Sequence, residues 1–107
     1  MYIYTIQFNN SKFFVADNTL STFFKWVKKK DPLAIQTHPN GKLPTGARLI
    51  YFKSNLTPLE IKELAKNFEL IYDNLSIDLY NFKKIETKLE KCLKILEILT
   101  NKKVVLQ

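Results

Sequence analysis

The chain has 107 residues, 46% of them hydrophobic and 13% aromatic, which places it among single folded domains and apart from disordered chains. Its one cysteine, Cys92, excludes an internal disulfide and a cysteine-built zinc site, and no apolar run approaches the ~18 residues of a membrane span. The formal net charge is +7, and the first 56 residues carry most of it, with eight basic and two acidic side chains. Such a charge suits phosphate-bearing partners. All of the 17 basic residues except Arg48 are lysines, and the chain is also rich in isoleucine and asparagine, a profile that an AT-rich genome writes whatever the function. The amino terminus lacks the layout of a signal peptide, so a reducing cytoplasm is the expected compartment.

Tyr2, Tyr4 and Ile6 alternate with Ile3 and Thr5, the period of two that marks a strand. Asn9-Asn10-Ser11 interrupts the pattern with turn-forming residues and Lys12-Phe13-Phe14-Val15 resumes it, so residues 1–16 are expected to form an amino-terminal β-hairpin. Asp17-Asn18-Thr19 supplies capping residues for a helix from about Thr19 to Lys30. Leu20, Phe23, Phe24 and Val27 form its apolar stripe, Lys25, Lys28 and Lys29 point outward, and Trp26 sits at the boundary. Lys28-Lys29-Lys30 closes that helix as a solvated, dipole-favoured end or as a phosphate-binding patch.

Asp31-Pro32 stops the helix, and the chain from Pro32 to Gly46 reads as an irregular loop because two Pro-containing turn formulas and both glycines fall there. The only histidine, His38, lies in this stretch and is a candidate general base or metal ligand. Ala47 to Phe52 reads as a central strand. Thr57-Pro58-Leu59-Glu60 then spells a capping box, and Ile61, Leu64, Ala65 and Phe68 form the buried stripe of the helix that follows. Capping occupies Glu60 and leaves Glu63 as the freer carboxylate. Leu70-Ile71-Tyr72 reads as a short strand or an extended link.

From Ser76 to Thr100 a long helix is expected, with Phe82, Ile85, Leu89, Cys92, Leu96 and Leu99 three and four residues apart in a seam of period 3.5. That face either lies across the open side of the sheet or pairs with its copy in a homodimer. Lysines and glutamates interleave on its outer side, as on a solvated surface. The expected fold is therefore α+β: a small, mostly antiparallel sheet begun by the amino-terminal hairpin, flanked by helices, with a long carboxy-terminal helix.

The order of these elements, with Tyr2-Ile3-Tyr4 followed by Phe14-Val15-Ala16 and later by Leu49-Ile50-Tyr51 and Leu59-Glu60-Ile61-Lys62-Glu63-Leu64, resembles the GIY-YIG nuclease domain over residues 2–70. The resemblance implies a phosphodiesterase scaffold in which Tyr4, Lys25, His38 and Glu63 stand at or near catalytic positions. Glu63 would be the ligand of a divalent Mg2+ or Mn2+ if the chain were active. Departures from the pattern are substantial: Phe14 lacks the second tyrosine hydroxyl, Ala16 replaces a glycine, and Phe23-Phe24 falls where the family has its arginine, for whose bidentate grip on phosphate Lys25 is a poor substitute. The sequence points to a non-catalytic module needing no cofactor, which contacts nucleic acid through Lys25, Lys28, Lys29, Lys30, Lys42 and Arg48. A small protein-interaction module, such as an inhibitor or adaptor from a mobile element, is the alternative, and a divergent metal-dependent endonuclease is the second.

Overall fold

The computed structural model describes residues 1–85. In chain order these form β1 (Tyr2–Asn10), α1 (Asp17–Lys30), β2 (Ile35–Lys42), β3 (Arg48–Ser54), α2 (Pro58–Ile71) and β4 (Leu75–Lys84). All strand pairs are antiparallel, in the order β2-β3-β1-β4. Strands β1 and β2 run parallel with β3 between them, and β3 and β4 run parallel with β1 between them. Two crossover units thus interlock, which is the ferredoxin-like, split βαβ arrangement.

Right-handed crossovers place both helices on the same face of the sheet. Tyr4, Ile6 and Phe8 of β1 and Ile50 and Phe52 of β3 point to that face and are fully or almost fully buried, beneath Leu20, Phe23 and Val27 of α1 and Ile61, Leu64 and Phe68 of α2. The Phe23 ring meets Phe8 at 5.2 Å and Phe68 at 5.3 Å, both edge to face, the favoured geometry for aromatic pairs. The opposite face carries Ile3, Thr5 and Gln7 of β1 in register with Lys53, Tyr51 and Leu49 of β3. No described helix covers it.

The capping box of α2 is present as the sequence indicates: Thr57 Oγ1 accepts from the Glu60 amide at 3.3 Å and Glu60 Oε1 accepts from the Thr57 amide at 3.2 Å. Four other expectations are corrected. Residues 11–16 are not the second arm of a hairpin, because β1 runs on to Asn10 and both its edges are taken by β3 and β4. The stretch expected to be an irregular loop holds β2. Pro39 and Gly41 are tolerated there because the strand lies at the sheet edge and shifts register twice. The hairpin of this fold is therefore β2–β3, closed by the Leu43 amide to Ala47 carbonyl bond at 2.8 Å. Leu70 and Ile71 end α2 as helix, and Asn74, at φ 60°, then reverses the chain into β4.

The long helix expected from Ser76 is likewise not found over residues 76–84, which lie in β4. Leu75, Ile77 and Leu79 alternate with Ser76 and Asp78, and this local period of two matches the free edge of β1. Of the proposed seam, Phe82 is thus a strand residue and Ile85 follows the strand. Leu89, Cys92, Leu96 and Leu99 lie outside the described residues.

Asp31, buried just past α1, ties the helix layer to the end of β3. Its carboxylate accepts from Ser54 Oγ at 2.8 Å, the Asn55 amide at 2.7 Å and the Leu33 amide at 3.2 Å. Burial alone would raise the pKa of this carboxyl, but those hydrogen bonds outweigh it and hold it below the ordinary carboxylate value. A folded-state pKa below the unfolded one contributes stability that is complete above the unfolded value, about pH 4, and fades as pH falls through the folded value. Asp31→Ala is expected to cost about 1–3 kcal/mol at neutral pH, since it strands buried donors. Denaturant titrations from pH 7 to pH 2 should show the gap between wild type and variant narrowing only on the acid side.

Candidate interaction surface

The segment between β1 and α1 is short, fixed at both ends, and carries two neighbouring phenylalanines into solvent. At its start the Asn10 side-chain oxygen accepts from the Lys12 and Phe13 amides, both at 2.9 Å, and the Ser11 amide donates to the Asn74 carbonyl at 3.3 Å. Asn and Asp side chains commonly fold the chain over in this way. At its far end Arg48 is the clasp. The guanidinium donates to the Gly41 carbonyl at 3.3 Å and the Val15 carbonyl at 3.5 Å, and it forms an ion pair with Asp17. Val15 is buried between these two fixings.

Phe13 and Phe14 nevertheless keep 72% and 79% of their surface exposed. The Phe14 ring lies against the backbone of Gly46. A β-carbon built on that glycine would sit 2.6 Å and 2.7 Å from the ring carbons, and Gly46 also has φ +90°, so only glycine fits on both counts. Lys42 Nζ stands 5.8 Å from the Phe14 ring centroid, within cation–π range. Asn10, Ser11, Lys12, Phe13, Phe14, Thr45 and Gly46 line a shallow depression of about 300 Å3. Lys12 lines it and Lys42 stands over the Phe14 ring, while Asp73 borders the adjoining hollow on the other side of Asn10 and Phe14.

The residues that the nuclease resemblance singles out are not brought together. Tyr4 is fully buried between sheet and helices, where its hydroxyl donates to the Leu56 carbonyl. Burial, followed by the nearby Tyr2 and Glu60, pushes its pKa well above the usual phenol value, so it stays neutral. Lys25 is exposed on α1 and Glu63 is exposed on α2. His38 is exposed on β2 in register with Tyr51, against whose ring it packs edge to face at 5.5 Å on the far side of the sheet. The sheet thus lies between His38 and the helix layer that carries Glu63. Among the described residues no cluster of three His, Cys, Asp or Glu side chains is placed to hold a metal ion, and no described helix is long and apolar enough to cross a membrane.

The expected basic face is split as well. Lys28, Lys29 and Lys30 are exposed in the last turn of α1. Arg48 is held by Asp17 in the first turn of that helix, about 17 Å away along its axis. Lys42, at the end of β2, stands beside the Phe14 ring, so the six proposed contacts fall into at least two groups.

The exposure of Phe13 and Phe14 is masked in the sequence, because an aromatic pair after a turn has the pattern of a strand. A signal was present, since adjacent phenylalanines cannot both face the core in a strand that buries one side. Gly46→Ala should cost about 1–3 kcal/mol and displace the Phe14 ring. Thermal melts read the first effect, and aromatic proton shifts of Phe14 read the second. No protein-family model matches the chain, and no curated protein matches it.

Proposed function

We propose that this protein is a non-catalytic interaction module, of the inhibitor or adaptor kind, that engages a partner protein through Phe13 and Phe14. The observation that carries this reading is the exposure of two adjacent phenylalanines on a loop pinned at both ends. Covering such a side chain is worth about 1.5–3 kcal/mol, and aromatic side chains held in place before binding are the usual anchors of protein interfaces. The complementary surface is an apolar pocket with carboxylates at its rim, placed to meet Lys12 and Lys42. The scattering of Tyr4, Lys25, His38 and Glu63 over two helices and the two faces of the sheet supports a module without catalysis.

A second reading rests on a separate observation. Trp26, Lys29, Lys30, Leu64 and Asn67 line a groove of about 580 Å3 between the two helices, and Lys28, Lys29 and Lys30 have no ion-pair partner among the described residues. An aromatic ring beside free lysines suits single-stranded nucleic acid.

The test places a photo-reactive phenylalanine analogue at position 13 or 14, with exposed Lys62 as the control position, and compares the cross-linked products formed in host extract. Cross-linking to one discrete protein from positions 13 and 14 only, abolished when the neighbouring phenylalanine is replaced by alanine, is the expected outcome. Because both rings are exposed, the Phe→Ala variants should remain within about 1 kcal/mol of wild-type stability. Identical products from all three positions would overturn the reading. Nucleic-acid binding that weakens steeply with salt and is lost on neutralising Lys28, Lys29 and Lys30 would favour the second.

A further inference from the structure

The two edges of the sheet differ in their readiness to pair. Strand β2 carries Pro39 and two register shifts, devices that blunt an edge. Strand β4 is ten residues long, contains neither proline nor glycine, and hydrogen-bonds to β1 on one side only; no described strand takes the other. Its single irregularity lies opposite the Thr5–Ile6 step of β1, where Asn81 partners Thr5, Leu79 partners Ile6, and Tyr80 is the extra residue.

That bulge decides which side chains share a face. In a regular strand Asp78 and Lys83, five residues apart, would point to opposite sides of the sheet. The extra residue restores the parity. Asp78 pairs with Gln7 and Lys83 with Ile3, both on the side away from the helices, while Leu79 and Phe82 pair with Ile6 and Tyr4 on the helix side. The Phe82 ring, 6.4 Å from that of Tyr4, is still 47% exposed. Next to Leu79, a cavity of about 380 Å3 opens between α2 and β4, lined on its apolar side by Ile61, Ala65 and Ile77.

We infer that β4 pairs antiparallel with β4 of a second copy of this chain, about a two-fold axis between Tyr80 and Asn81, joining two sheets into one. In this register Asp78 of each copy faces Lys83 of the other on the open face, and Leu79 of each faces Phe82 of the other on the helix face beside the apolar cavity. Over residues 78–83 this register therefore matches charge with charge twice and apolar with apolar twice, and beyond them Ile77 of each copy meets the aliphatic stem of Lys84 of the other. A two-fold contact has to be self-complementary in this sense. Other outer-edge registers lose the charge pairing: a shift by one residue, as in a two-fold centred on Tyr80, sets side chains of opposite faces against each other, Asp78 against Phe82, and an axis between Leu79 and Tyr80 sets Asp78 against Asn81.

The test is analytical ultracentrifugation of the full chain over a concentration series, with charge-exchange variants. Asp78 and Lys83 are exposed, so Asp78→Lys and Lys83→Asp should leave the fold intact, as circular dichroism and thermal melts will check. The wild type is expected to move from one-chain to two-chain mass as concentration rises. Each single variant sets like charges opposite each other at two places and should raise the dissociation constant about tenfold. The double variant Asp78→Lys/Lys83→Asp, and an equimolar mixture of the two single variants, should both recover association, because each restores opposite charges across the axis. A chain that stays monomeric throughout, which would make the bulge and Lys83 guards against pairing, overturns the inference. So does a dimer that neither single variant weakens.

Discussion

Burial of one row of side chains on β1 governs this molecule. Tyr4, Ile6 and Phe8 lie under both helices while the strand is hydrogen-bonded along both edges, so the first ten residues are completed only by residues 48–54 and 75–84. Almost nothing that stabilises β1 is local in sequence. Its partners arrive late in the chain, and the two crossover helices are the means by which they return to it.

The exposed phenylalanine loop follows from the same constraint. With both edges of β1 occupied, residues 11–16 cannot turn back as a strand and must instead carry the chain over the end of the sheet to α1. Arg48 closes that passage, and its pairing with Asp17 consumes the one arginine that composition alone would assign to phosphate binding. Phe13 and Phe14 have no core position left to occupy, because Val15 takes the inward place and Gly46 leaves room for the edge of the Phe14 ring at the β2–β3 turn. Fixing the backbone while leaving the rings exposed lowers the ordering entropy that a binding event would otherwise have to overcome.

The two proposed contacts use different parts of this framework. The loop sits over the end of the sheet and the β4 edge, which only β1 joins among the described strands, runs along its side, so occupation of one leaves the other free to act. A two-fold pair of such sheets would present two copies of the loop. Linked sites of that kind gain apparent affinity without any new contact when a partner also carries repeated sites.

The sequence by itself determined what depends on neighbours within a few residues. The capping box at Thr57, the stripe of Ile61, Leu64, Ala65 and Phe68, the stop at Asp31-Pro32 and the strand through Ile50 and Phe52 are each written in local spacing, and the α+β class followed from them. Strand pairing is different, because the hydrogen bonds of a strand lie on another segment and leave no local trace. Lys12-Phe13-Phe14-Val15 has the composition of a strand but no free edge to join. Ile35–Lys42 has the composition of a loop yet pairs with β3, and Leu75–Lys84 mixes the periods of strand and helix. Which of these segments became sheet, and hence which aromatic rings were left in water, was decided only when β1 took its two partners, since a main-chain donor is satisfied by whichever strand reaches it in register.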